Sequence, residues 1–261
     1  MIFNFIAKTI LIVFFAYLIY KKEKTNLFSL IYLSIIPLFI FYQGEIKILF
    51  LGLFLGYAIF ICLRRPSLKK TLSLFVLLAL IFTFYSPQIG IFKIDEATHI
   101  INQQRGEHLN PTISFLPRIF HNKLQLIYPI LEKAQEIFSV KSLFIQGKYD
   151  LYSPIYHLGY LFPWDLIIIC YLFTKNSNQK NFKIINPYWL IIPLIYLFIG
   201  LTSTSNQFVS IITISLVYWL AIYNSFIFKF LNKKLSFSLT LLNIIFLCLM
   251  LSLSAPFIQS L

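Results

Sequence analysis

Long apolar runs separated by short polar connectors set the reading of this chain. Eight segments qualify as membrane-spanning candidates: 2–20, 27–42, 46–63, 71–85, 158–173, 185–201, 208–228 and 235–258. Several hold only 15 or 16 residues, below the roughly 17–25 that cross a hydrocarbon core of about 30 Å, so their ends must extend or the bilayer must thin locally. The expected fold is an all-α integral membrane protein of about eight transmembrane helices. A four-span half covers 1–86, a large extracytoplasmic helical region covers 87–157 between spans four and five, and a second four-span half covers 158–261. The first segment is interrupted by Lys8; because Lys21, Lys22 and Glu23 follow it in place of a small-residue cleavage site, it reads as a retained helix and not as a signal peptide.

Composition supports lipid as the solvent. Among the 261 residues, 59% are apolar and only 12% charged, and the mean hydropathy is +0.80. Soluble domains carry about 25% charged residues, so a water-exposed surface could not be built from this chain. The net charge of +13 would suggest a nucleic-acid partner, but its distribution excludes one. Four short connectors, 21–26, 64–70, 174–184 and 229–234, hold 13 basic residues against the single acid Glu23, whereas 87–157 is nearly neutral with seven basic and six acidic residues. Basic residues beside span ends mark the cytoplasmic side. With eight spans the four basic connectors alternate with the opposite side, which then holds both termini and the region 87–157.

Small-residue and aromatic positions add depth and packing cues. Gly52 and Gly56 stand at GxxxG spacing, which lets a neighbouring helix approach closely. Tyr20, Tyr42, Tyr85, Tyr160, Trp164, Tyr188 and Trp189 gather at segment ends, as rings at the headgroup level do. Cys62, Cys170 and Cys248 lie within apolar runs, where a thiol packs as a small hydrophobe; neither a disulfide framework nor a surface thiolate nucleophile is expected. Few ionisable residues interrupt the spans, which argues against a transporter, and the histidines avoid the mid-span positions that a haem needs.

Candidate chemistry collects in 87–157, which holds all four histidines and six of the nine acids. Asp95 to Arg105 predicts a helix with Asp95 as N-cap and Gly106 as its stop. Asp95, His99 and Asn102 share one face, so a carboxylate meets an imidazole as an acid/base pair or as metal ligands; the alternative is that they cap the helix and face water. Downstream, Arg105, Arg118, His121 and Lys123 would suit a lipid phosphate or diphosphate, and equally a bulk anionic headgroup. Leu124, Ile127, Leu131, Ala134 and Phe138 recur at helical spacing and predict an interfacial amphipathic helix. Asp165, in Pro163-Trp164-Asp165, opens the fifth span, an uncommon place for an acid.

Four runs in this part of the chain carry a family resemblance. They are Ile100 to His108, Phe120-His121-Asn122-Lys123, Phe144-Ile145-Gln146-Gly147 and Gly159-Tyr160-Leu161-Phe162-Pro163-Trp164-Asp165. The stretch resembles the later extracytoplasmic region of GT-C membrane glycosyltransferases, relatives of the protein mannosyltransferases and the aminoarabinose transferase. The resemblance implies a plasma-membrane protein of the cell envelope that meets a polyprenyl-phosphate-linked sugar. Arg105, Arg118, His121 and Lys123 would then hold phosphate, and Asp95, Glu96 or His99 would supply the acid or base. No cofactor is implied, and a divalent metal is left open.

Two function classes follow, with a polymerase or ligase of lipid-linked glycan, which also uses outer basic residues, as a third possibility. One is a shortened catalytic relative of those transferases. The other is a non-catalytic accessory or scaffold subunit whose partner is another membrane protein. The second is suggested by the first outer turn, which offers Glu45 alone where the family carries an acidic loop.

Overall fold

The computed structural model describes residues 2–42, 44–64, 67–85, 139–145, 159–178 and 206–258. Among them the chain forms helices and connecting turns with no strand. The helices are α1 (Ile2–Glu23), α2 (Leu27–Ser34), α3 (Pro37–Phe41), α4 (Ile46–Arg64), α5 (Leu68–Tyr85), α6 (Asp165–Asn178), α7 (Asn206–Ser225) and α8 (Lys233–Ile258). A π-helical turn covers Lys141–Ile145, and a 3-10 turn, Phe226–Lys229, extends α7. Among the described residues, four helices are long and apolar enough to cross a membrane: Phe3–Glu23, Ile46–Arg64, Gln207–Lys229 and Lys233–Met250.

Helix boundaries follow local chemistry. The apolar run 27–42 is not one helix, because Pro37 lacks a donor for a continuing helix and Ile36 before it adopts an extended conformation; the chain restarts with Pro37 in the first turn of α3. Ser67 caps α5 by accepting from Lys70 N at 3.4 Å, and Asn232 caps α8 by accepting from Leu235 N at 2.8 Å. After α1 the chain reverses through Lys24, which takes a left-handed conformation at φ 47°.

Burial ranks the helices. In the apolar window of α7, 94% of residues are buried, against 28% for α1 and 22% for α8. Helix α7 is therefore the axis of the bundle. The outer faces of α1, α5 and α8 expose Phe3, Phe14, Leu80, Phe84, Phe237 and Leu249. Such faces suit lipid chains, and in water they would be an aggregation liability.

Helices α4 and α7 approach closely. A Cβ on Gly52 would stand 2.5 Å from Ile214 Cγ2, and one on Gly56 would stand 2.5 Å from the Ser215 carbonyl oxygen. The GxxxG spacing thus does what its small residues allow, bringing two backbones together where lipid supplies no hydrophobic drive. Lys8 does not break α1. Its ammonium is turned inward, donating to the Tyr42 carbonyl at 3.3 Å with the Tyr42 ring 5.3 Å away. That carbonyl follows the short helix α3, so the lysine occupies an acceptor left over where the helix ends.

Basic residues collect at one end of the bundle. The Glu23 carboxylate, at the end of α1, pairs with Arg64 at the end of α4, and Lys229 Nζ donates to the Glu23 carbonyl at 2.9 Å. Arg64 and Lys229 also lie over the Phe226 ring, at 5.9 and 4.7 Å. Helices α1, α4 and α7 therefore end together. Helix dipoles do not account for this clustering. Cations are favoured at the ends of α1 and α4, but Lys69, Lys70, Lys233 and Lys234 stand in the first turns of α5 and α8, where the dipole disfavours them.

Candidate functional site

The sequence-based site residues Asp95, Glu96, His99, Arg105, Arg118, His121 and Lys123 all lie outside the described residues, as do the amphipathic segment 124–138 and the span 185–201. Among the described residues the candidate that the sequence singled out is Asp165. It opens α6 and is wholly buried.

The approach to Asp165 is irregular backbone inside the bundle. Residues 159–164 are not helical, although the apolar run begins at 158, so the fifth segment starts its helix later than its hydrophobicity suggests. Tyr160 N donates to the Ser142 carbonyl at 3.3 Å and Leu161 N to that of Leu143 at 2.8 Å, while Leu38 N donates to the Tyr160 carbonyl at 3.3 Å. These bonds take up main-chain groups that the helix would otherwise have paired internally, and non-helical chain is tolerated in such a bundle only on that condition. Gly159 is required here, because a side chain at 159 would run into the backbone of Phe144. Since Tyr160 lies beside Leu38 and Asp165 beside Tyr32, the segment runs antiparallel to α2 and α3, toward the basic end.

The aspartate is locked by reciprocal bonds. Its own N–H donates to the Phe162 carbonyl at 2.9 Å, and its Oδ2 accepts from Phe162 N at 3.0 Å and from the Tyr32 hydroxyl at 2.8 Å. The Tyr32 oxygen in turn accepts from Asn224 Nδ2 at 3.5 Å. Three elements far apart in sequence meet at this point: α2, α6 and α7. Oδ1 of Asp165 and Oδ1 of Asn224 have no hydrogen-bond partner among the described residues.

Aromatic rings wall this junction. Phe162 stacks on Trp164 with centroids 5.6 Å apart and planes 6° from parallel, and Phe246 of α8 meets the Trp164 ring edge-on at 5.1 Å. Tyr32 lies 5.8 Å from Phe228. Trp164 Nε1 donates to Asn243 Oδ1 on α8 at 2.8 Å. Two of the rings expected at the headgroup level are packed within the bundle. Tyr160 is fully buried and Trp164 is bonded into the bundle, because the irregular segment carries both inward. Tyr188 and Trp189 lie outside the described residues.

Asp165 was legible from its sequence position; Tyr32, Asn224 and Asn243 were missed. The available signal was a lone carboxamide within an otherwise apolar span at 224 and again at 243, since a polar side chain there needs a partner or a function. Tyr32 carries no such signal. Cys62, Cys170 and Cys248 are free thiols, with Cys62 buried against the Thr71 hydroxyl at 3.4 Å. A surface groove between α1 and α2, lined by Thr9, Ile10, Val13, Phe14, Tyr17 and Leu30, has the apolar character of a lipid-chain contact.

Set against known protein families, curated proteins and solved structures, the chain matches none of them.

Proposed function

We propose that the protein is an eight-span, GT-C-like plasma-membrane protein that acts on a polyprenyl-phosphate-linked sugar in cell-envelope glycan assembly, with 87–157 as its extracytoplasmic region. The observation that carries the orientation in this reading is the gathering of Glu23, Arg64 and Lys229 at one end of the bundle, while the sugar chemistry rests on the family resemblance. Under the positive-inside rule that end is cytoplasmic. Helix α5 begins at the same end with Lys69 and Lys70, so Tyr85 at its far end leads the chain out on the opposite face. A carrier-linked sugar exposed on that outer face would meet Asp95, Glu96, His99, Arg105, Arg118, His121 and Lys123 there. The catalytic roles of these residues rest on the family resemblance of their motifs.

Two measurements test the proposal. A single cysteine at Gln104, in a variant lacking Cys62, Cys170 and Cys248, is expected to react with a membrane-impermeant thiol reagent added from outside; labelling only after the membrane is opened would overturn the orientation. Asp95→Ala, His99→Ala and Arg105→Ala are expected to reduce sugar transfer in membranes at least tenfold, and unchanged transfer by all three would remove the catalytic site.

A second reading, an accessory subunit bound to another membrane protein, draws support from Glu45. That acid is engaged by Lys47 at 2.7 Å in a tight turn and is poorly placed to serve an acceptor. Full transfer activity by the three variants, together with stable co-purification of a membrane transferase, would favour it.

A further inference from the structure

Charge at the basic end of the bundle does not balance. The four short connectors hold 13 basic residues against Glu23, and the structure commits that carboxylate to Arg64. Lys229 reaches the same residue but not its charge. Its Nζ donates to the Glu23 main-chain carbonyl at 2.9 Å, a neutral acceptor. An ammonium group has three N–H donors, and no other oxygen among the described residues takes one from Lys229.

Aromatic rings stand where a second acid would be expected. Arg64 and Lys229 both lie over the Phe226 ring, at 5.9 and 4.7 Å, and Lys22, beside Glu23, lies 5.5 Å from the Tyr57 ring. A ring face attracts a cation through its quadrupole but has no net charge to neutralise it. Arg64 and Lys229, gathered at one ring and one residue, repel each other. Glu23 offsets one of these two charges, so the pair keeps an excess of one.

Position selects the anion that would remove the excess. The two cations stand where α1, α4 and α7 end together, with Phe226 buried beneath them and the Arg64 side chain 34% exposed. They therefore mark the boundary between the apolar interior and water, which is the depth of a lipid headgroup. Basic pockets between helix ends on the cytoplasmic side take anionic headgroups. A phosphate group offers oxygens on several sides, enough for the guanidinium and the ammonium together.

We propose that Lys229 and Arg64 bind the phosphate group of an anionic phospholipid, with the Phe226 ring holding both cations in place. The site is separate from the sugar chemistry proposed above, since it uses none of the residues of 87–157. Occupancy ties α1, α4 and α7 together at the end where they meet. Bulk attraction of anionic lipid to the basic connectors would not depend on which lysine is lost, whereas a site does.

The test is thermal unfolding of the purified full chain in detergent at constant ionic strength, titrated with phosphatidylglycerol, with zwitterionic phosphatidylcholine or with inorganic phosphate. Lys229→Met keeps a long stem over Phe226 without the charge, and Lys234→Met removes the same charge from an exposed position in the first turn of α8. The wild type is expected to gain about 3 °C with phosphatidylglycerol, Lys234→Met to keep that gain, and Lys229→Met to lose at least half of it. The same pattern with inorganic phosphate alone identifies the phosphate group as sufficient, and a response confined to phosphatidylglycerol identifies the whole lipid as the ligand. If Lys229→Met does not fold, native mass spectrometry of the wild type takes its place: one retained phosphatidylglycerol per chain at saturation supports the site, and a graded series of adducts without a plateau overturns it. Equal gains by the two variants, a gain with phosphatidylcholine as large as with phosphatidylglycerol, or no wild-type gain with either phosphatidylglycerol or phosphate would also overturn it.

Discussion

Helix α7 makes two contacts of opposite character. Along its first half it meets α4 through Gly52 and Gly56, backbone against backbone, with Ile214 and Ser215 filling the seam. Near its end it meets α2 and α6 through Asn224, Tyr32 and Asp165, where hydrogen bonds decide the fit and two oxygens are left over. The first contact tolerates no added volume at either glycine, although Tyr218 beside Gly56 brings a buried hydroxyl with no partner among the described residues. The second tolerates some change of shape but not the loss of a partner. A membrane bundle needs both kinds of contact. Lipid does not drive helices together, so association comes from close packing of small residues, while directional bonds select which helices meet.

Substitutions separate the two regimes. Gly56→Leu should have the largest effect, since its side chain would displace the Ser215 carbonyl; overpacking of this kind costs about 3 kcal/mol and should appear as loss of folded protein in detergent, with Gly56→Ala milder. Asp165→Ala comes next. It removes an acceptor from the Tyr32 hydroxyl and the Phe162 amide at once, so roughly 2 kcal/mol of stability should go, measured as a lowered unfolding midpoint. Asp165→Asn should recover part of it. Trp164→Phe keeps the stacked ring and loses only the bond to Asn243, so about 0.6 kcal/mol is expected. Glu45→Gln sharpens the comparison from outside both contacts. Its pair with Lys47 is more than half exposed on the lysine side, at 59%, and the change should stay below about 0.5 kcal/mol. An effect of Glu45→Gln as large as that of Asp165→Ala would show that burial does not set the order.

The sequence made the straight, apolar helices legible and left the breaks obscure. Hydrophobic runs located α1, α4, α7 and α8 to within a few residues, because a membrane span is recognised by length and apolarity alone. Glycine spacing located the α4 face that α7 covers. The interruption at Ile36 and the irregular stretch 159–164 were not foreseen, since hydropathy reports whether a residue avoids water and says nothing about whether its main chain is helical. Pro37 and Gly159 were the local clues to both. For the polar junction, Asp165 was visible as an acid at the mouth of a segment. Its partners come from positions 133 residues earlier and 59 residues later, and no spacing rule links them. The burial of Tyr160 and the bond of Trp164 to Asn243 were not foreseen for the same reason, since an aromatic ring at a segment end gives no sign of which side-chain partner it meets.

The seam between α4 and α7 also bears on how the chain is made. Gly52 and Gly56 emerge in synthesis before the residues that cover them, 211–218, which lie about 160 positions later. Through that interval the half-built bundle presents a shallow, unclaimed face. In water such delayed closure would invite aggregation. In lipid the waiting face is simply bathed by acyl chains, which later give way to the arriving helix, so a fold whose central axis is synthesised so long after the helix it covers carries little kinetic risk.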